Sequence, residues 1–170
     1  MKLDSFFSWF DRFETLIIKI SSALLLAITV LVNVQVIFRY FIRAPLTWSI
    51  ELNLILFTYL VFFSAAVALR RGSFATVTVF VDLLPPRIRQ LIAILGNFLI
   101  AIFVTVGCIY SQELVLHAKT TNAETPALGI PMEFVYGGMQ IGFALQTIFI
   151  GVTLVELLYK MTEEKRQGGV

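Results

Sequence analysis

Glu51 is the residue of this sequence best placed to do chemistry. It lies six positions after Pro45. A helix starting at that proline carries it roughly 9 Å along the axis. It also borders an uncharged apolar run, residues 52–69. A charge at the bilayer centre costs about 2.5–3.5 kcal/mol on insertion scales, and less near the interface. Arg39 closes the preceding apolar run at the same face, and Arg43 follows it. A hairpin of the two runs brings either guanidinium within reach of Glu51. Trp48, one turn earlier, suits an interfacial aromatic belt. Two chemistries fit. Glu51 carries protons, or it forms half of an ion pair that pins the hairpin and its loop. The shallow position and the two arginines favour the pair. Arg39, Arg43, Trp48 and Glu51 are therefore expected to form a structural hairpin core.

Other reactive groups are sparse. There is one cysteine, Cys108, and one histidine, His117. A lone thiol closes no internal disulfide, and these counts leave no transition-metal site. The sequence contains no G-x-S-x-G, H-E-x-x-H or GxxxxGK[ST]. No catalytic residue, cofactor or substrate-binding residue is assigned. The amides Asn33, Gln35, Gln140 and Gln146 lie in or near apolar runs. They line a solute path or bond helix to helix. Four amides on two helices define no pocket, so the second reading is preferred.

Four apolar runs must position these groups. Only 14% of residues are charged, against 58% hydrophobic, and mean hydropathy is +0.88. Such a chain cannot build the charged shell of a soluble domain. The net charge of +2 is too small to attract nucleic acid. Uncharged windows fall at residues 20–38, 52–69, 90–112 and 134–155. At about 1.5 Å per residue, each reaches roughly the 30 Å of a hydrocarbon core. Backbone amides find no water there, so each run is predicted to be helical. The expectation is an all-α integral membrane protein, one membrane domain over residues 1–170. Its four transmembrane helices fall at about 16–39, 47–69, 88–114 and 132–158. No transporter-type internal repeat is visible.

Basic residues orient the spans. Lys2, Arg12, Lys19, Arg70, Arg71, Arg87, Arg89, Lys160, Lys165 and Arg166 fall on one side, and Arg39, Arg43 and Lys119 on the other. Ten against three places both termini in the cytoplasm. A mixed-charge lead and the lack of a small-x-small site argue that the first span is retained, not cleaved.

Two segments are expected to lie on the membrane as short interfacial helices. In residues 1–19, Phe6, Phe10, Phe13 and Ile17 recur at helical spacing beside Trp9. In residues 73–86, Val77, Phe80, Val81 and Leu84 do the same before Pro85 and Pro86. Helices in lipid associate through small residues and hydrogen bonds. The expected packing faces, meeting each other or a partner, are Gly138 and Gly142 in the fourth span, Ala93, Asn97, Ala101 and Thr105 in the third, and Ser64 and Ala68 in the second.

Three blocks in order carry a resemblance. Residues 39–52 read RYFIRAPLTWSIEL. Residues 65–71 read AAVALRR, followed by Val81-Asp82 and LLPPRIRQL. Residues 125–145 read TPALGIPMEFVYGGMQIGFAL. Together they resemble the small permease subunits of TRAP (tripartite ATP-independent periplasmic) transporters. Two positions depart from the family pattern. Ile50 stands where members often carry a first acid, and Phe74 and Ala75 where many carry a histidine. The resemblance implies a three-part system in a bacterial inner membrane. A large permease subunit holds the substrate and sodium sites and moves as an elevator. A periplasmic binding protein delivers an organic acid, such as a C4-dicarboxylate or sialic acid. The small subunit packs along the large one and steadies it among membrane lipid. From the residues alone, a second function stays open: a proton-coupled exporter acting as a homo-oligomer, with Glu51 as carrier. The absence of a catalytic cluster argues against an enzyme.

Overall fold

In the computed structural model, residues 2–44, 46–71 and 85–167 are described. They form helix α1 (Lys2–Ile37), a π turn (Phe38–Ile42), α2 (Thr47–Arg70), α3 (Pro86–Thr121) and α4 (Met132–Gln167). Among the described residues there is no strand, only an isolated antiparallel bridge between Glu124 and Pro131. All four helices contain a stretch long and apolar enough to cross a membrane: Phe10–Ile42, Thr47–Arg70, Ile94–Thr121 and Met132–Val155. The chain is an all-α integral membrane protein.

The lead expected at residues 1–19 is not a separate element. No glycine or proline precedes Pro45, so nothing interrupts α1. Its 36 residues extend for about 54 Å. The apolar stripe of the lead also faces elsewhere than expected. Phe10 and Ile17 are buried against Ala66 and Val67 of α2 and Phe149 of α4. The rings of Phe10 and Phe13 meet Phe149 edge to face at 6.5 and 6.3 Å. This stripe covers protein rather than a lipid surface, while Phe6 and Trp9 have no described side-chain surroundings. The segment expected at 73–86 lies outside the described residues except for its two prolines. Pro85 is extended and Pro86 opens α3 at a position where its missing N–H is not needed.

The helices stand in a row, α1 on α2, α2 on α4, and α4 on α3. α1 and α2 are antiparallel, whereas α2 and α4 run the same way. Central α4 has 28% of its span buried, against 11–17% in the other three. Its inward face carries Gly138, Gly142, Gln146, Phe149 and Ile150. A second small core joins Leu69 of α2, Val104 of α3 and Ile150.

Among the described residues of α3 the buried positions are Val104, Ser111 and Ala118, spaced by seven, with Gly107 half-buried between the first two and Ala101 half-buried one turn before them. The expected ladder of Ala93, Asn97, Ala101 and Thr105 departs from this stripe. Thr105 is exposed and donates to its own Ala101 carbonyl at 2.7 Å. Steps of four drift about 40° each around a helix, whereas packed helices keep contact through alternating steps of three and four. Asn97 and Ala101 stay half-buried, and the side chain of Ala93 is not among those described. On α2 the same drift applies. Ala66, Val67 and Leu69 are buried, Ala68 is half-buried and Ser64 is exposed.

Candidate functional site

The start of α2 lacks a side-chain cap at Leu46. Ser49 ties the first turn back to Leu46 instead. Its N–H and hydroxyl both donate to the Leu46 carbonyl, at 3.2 and 2.7 Å. Ser49 is 1% exposed, and this fixes the first turn that carries Trp48 and Glu51.

Glu51 points at the loop between α3 and α4. That loop is built from backbone bonds around Thr125, itself buried. The Thr125 N–H donates to Ile130 O at 2.9 Å, and the Ile130 N–H donates to Thr125 Oγ1 at 3.0 Å. The Gly129 N–H donates to Thr125 O at 2.9 Å, and the Met132 N–H to Ala123 O at 2.8 Å. Gly129 adopts φ +64°, a conformation glycine reaches without steric cost. The result is a tight turn with two successive N–H groups, of Ala127 and Leu128, facing α2. They donate to Glu51 Oε1 and Oε2 at 2.9 and 3.0 Å. Two convergent amides on one carboxylate form a small anion-binding nest, and charge-assisted bonds of this kind are the stronger sort.

The ion pair expected between Glu51 and Arg39 or Arg43 does not form. Both carboxylate oxygens are taken by loop amides. Arg39 instead lies near the Tyr40 ring, 5.8 Å from its centroid. Arg43 is exposed and sits in a left-handed conformation, φ 58°, where its N–H caps the π turn at Phe38 O. Trp48 is 41% exposed. Of the four hairpin residues, Glu51 alone joins elements, and it joins α2 to the loop before α4.

Below Glu51, α2 and α4 interlock. The Tyr59 hydroxyl donates to Phe134 O at 2.7 Å, and its ring lies on Gly138. Phe62 lies on Gly142, and Gln146 Nε2 donates to the Phe62 carbonyl at 3.2 Å. Gly107 of α3 faces the Phe143 ring. Gly138 and Gly142 are thus packing positions, and Gln146 makes the inter-helical bond expected of the amides. Asn33 bonds only within α1, to Thr29 O. Among the described residues no group of three His, Cys, Asp or Glu could hold a metal.

The family profile described as tripartite ATP-independent periplasmic transporters, DctQ component, matches residues 28–160. The chain belongs to this family. Its members are transporter subunits, not enzymes. The chain is 27% identical over 123 residues to a sialic acid TRAP transporter small permease protein, SiaQ, of Vibrio cholerae, covering 72% of this chain and 70% of that protein. It is 30% identical over 100 residues to the C4-dicarboxylate TRAP transporter small permease protein DctQ of Rhodobacter capsulatus, covering 59% of this chain and 44% of that one. A putative TRAP transporter small permease protein of Haemophilus influenzae is 26% identical over 129 residues, covering 76% of each.

The first and third of the TRAP small-permease blocks read from the sequence meet at this site. The Trp-Ser-x-Glu of the first block braces the Thr-Pro-Ala-Leu-Gly of the third. Residue types gave no sign of the link, because the groups that bind Glu51 are backbone amides. Tyr59 and Thr125 were also missed. A hydroxyl set among apolar residues, two turns below Glu51 or inside a Gly- and Pro-flanked turn, is the signal that could have found them.

Proposed function

We propose that this chain is the small membrane subunit of a sodium-coupled secondary transporter in a bacterial inner membrane. The system imports an organic acid delivered by a periplasmic binding protein, and this chain scaffolds a large permease subunit. Two relatives are named for carboxylated solutes, sialic acid and C4-dicarboxylates. The observation that carries the scaffold role is the open row of helices. Large apolar side chains stay exposed on both flanks, among them Leu26, Leu54 and Phe57 on α1 and α2, and Leu99 and Phe103 on α3. Lipid covers part of this surface, and a larger permease is the natural cover for the rest.

The ten basic residues on one side put both termini in the cytoplasm. The loop braced by Glu51 then faces the periplasm, where a binding protein docks. Glu51 acts as a brace rather than a proton carrier. Protonating either oxygen would give up an amide bond that holds the loop.

Co-expression with the large permease and binding protein tests this reading. Glu51→Lys is expected to lower recovery of the complex or the uptake rate and leave the ranking of substrates unchanged. An altered solute or ion selectivity in that variant would overturn the scaffold role. So would proton-driven flux through vesicles holding this chain alone. A reporter fused to the carboxyl terminus is expected to be active in the cytoplasm.

A further inference from the structure

Hydroxyls within the spans are generally satisfied by their own helix. Thr29, Thr58, Thr105, Thr147 and Thr153 each donate to the carbonyl four residues back. Three serines depart from this habit, and all three line one groove of about 250 Å³ between α1 and α2. Ser21 is 8% exposed and its Oγ has no partner. Ser22 and Ser64 are exposed and make no hydrogen bond among the described residues. Unpaired hydroxyls in an apolar medium call for an acceptor.

The groove has a direction. At its mouth, Arg71 Nε donates to Glu14 Oε1 at 2.6 Å. Stepping four, seven and eleven residues from Glu14 along α1 reaches Ile18, Ser21 and Leu25. The same steps back from Arg71 along α2 reach Val67, Ser64 and Leu60. These steps keep to one face of a helix, and all six residues line the groove. The Arg71 side chain is 58% exposed, and among the described residues its bonded partner is Glu14, reached through Nε. At this end Arg12, Lys19, Arg70 and Arg71 outnumber Asp11 and Glu14. From mouth to depth the order is cation, hydroxyl, hydrocarbon. The hydroxyls lie about 10 Å in from the guanidinium.

We propose that this groove binds one anionic phospholipid. Its phosphate sits on the Arg71 Nη groups, its ester carbonyls accept from Ser22 and Ser64, and one acyl chain lies against Ile18, Leu25 and Leu60. The excess of cations over acids at the mouth favours an occupant that brings its own anion, as a phospholipid headgroup does. Free phosphate has no part to fill the deeper groove. The inference needs only that the chain sit in a bilayer, so it stands or falls apart from the transporter role.

Full-length chain in phosphatidylcholine nanodiscs, doped with photoreactive phosphatidylglycerol or photoreactive phosphatidylcholine, tests it. Phosphatidylglycerol is expected to label residues 18–25 and 60–67 at least about fivefold more than phosphatidylcholine does. The triple variant Ser21→Ala, Ser22→Ala, Ser64→Ala loses about fivefold or more of that labelling, as lost hydrogen bonds predict. Thr105→Ala leaves it unchanged, and Arg71→Gln removes the headgroup preference. Helix content and melting temperature show that the triple variant folds. Equal labelling by both lipids, labelling spread over all four helices, or no loss in the triple variant overturns the proposal. So does a disulfide from Ser64→Cys to a co-expressed permease with loss of lipid labelling, since a partner helix then fills the groove.

Discussion

Toward α4, α2 presents Tyr59 and Phe62 to two glycines, its Phe62 carbonyl to Gln146, and Glu51 to the loop before that helix. Toward α1 it presents Ser64 and Val67 to a groove, and Arg70 and Arg71 to two acids at one end. The first seam is closed by backbone approach and by hydrogen bonds to backbone groups. The second is tied by side-chain ion pairs and stays partly open. In lipid there is little hydrophobic drive between helices, so cohesion follows contact distance and polar pairing. α2 and α4 therefore form the rigid pair of the molecule, and α1 is the more separable helix.

The largest effect is expected from closing the distance at the first seam by force. A Cβ on Gly142 would overlap the Phe62 Cβ and lie 3.3 Å from its backbone carbonyl carbon. Backbone cannot swing aside, so Gly142→Leu should cost about 3 kcal/mol of stability. Gly138→Ala should cost less, because the Tyr59 ring it meets can rotate away. Gly151 has nothing within 4 Å, and Gly151→Leu should be neutral. Melting temperatures in one detergent rank the three. Equal losses at positions 142 and 151 would erase the distinction between seam and surface.

Glu51 comes next. Glu51→Gln puts an amide N–H₂ against one of the two backbone donors and should cost about 2 kcal/mol. Amide hydrogen exchange reads it locally: protection at Ala127 and Leu128 falls, and protection within α1 does not. Arg39→Gln should change neither, since Arg39 makes no bond to Glu51. Matching losses in the two variants would restore the hairpin ion pair in place of the loop brace. Gln146→Leu should cost about 0.6 kcal/mol, the usual worth of one inter-helical bond in a membrane.

The two seams were not equally legible. Helix number and class followed from apolar length, because lipid forbids any other satisfied backbone. Gly138 and Gly142 were readable as a packing face, since small residues four apart let helices approach. The partner of Glu51 was not. Side-chain types suggested arginine, while the actual donors are main-chain amides that every residue carries. The ladder on α3 meets the contact line within this chain only in part: Ala101 packs on the cluster of Leu69, Val104 and Ile150, and Thr105 is exposed. Identical steps of four select similar residues and drift off the contact line, which Val104, Ser111 and Ala118 follow instead. The acids Asp11 and Glu14 were read as a charged lead, and their pairing with Arg70 and Arg71 depends on α1 running on unbroken, a property fixed by missing glycines and prolines.

The smallest effect belongs to the second seam, and it sharpens the comparison. Arg71 and Glu14 bond at 2.6 Å, yet the arginine side chain is more than half exposed. Arg70 and Asp11 are farther apart, at 3.8 Å, with the aspartate 67% exposed. Water and salt screen such pairs, and holding long side chains in place costs entropy. A double-mutant cycle on Glu14→Gln and Arg71→Gln should give a coupling near 0.5 kcal/mol that fades in high salt. The Glu51 effect should persist in the same salt, because its donors are fixed backbone amides. If the Glu14–Arg71 coupling instead equalled the Glu51 loss and resisted salt, α1 would be held as firmly as α4. The groove between α1 and α2 would then lie in a rigid wall rather than beside a separable helix.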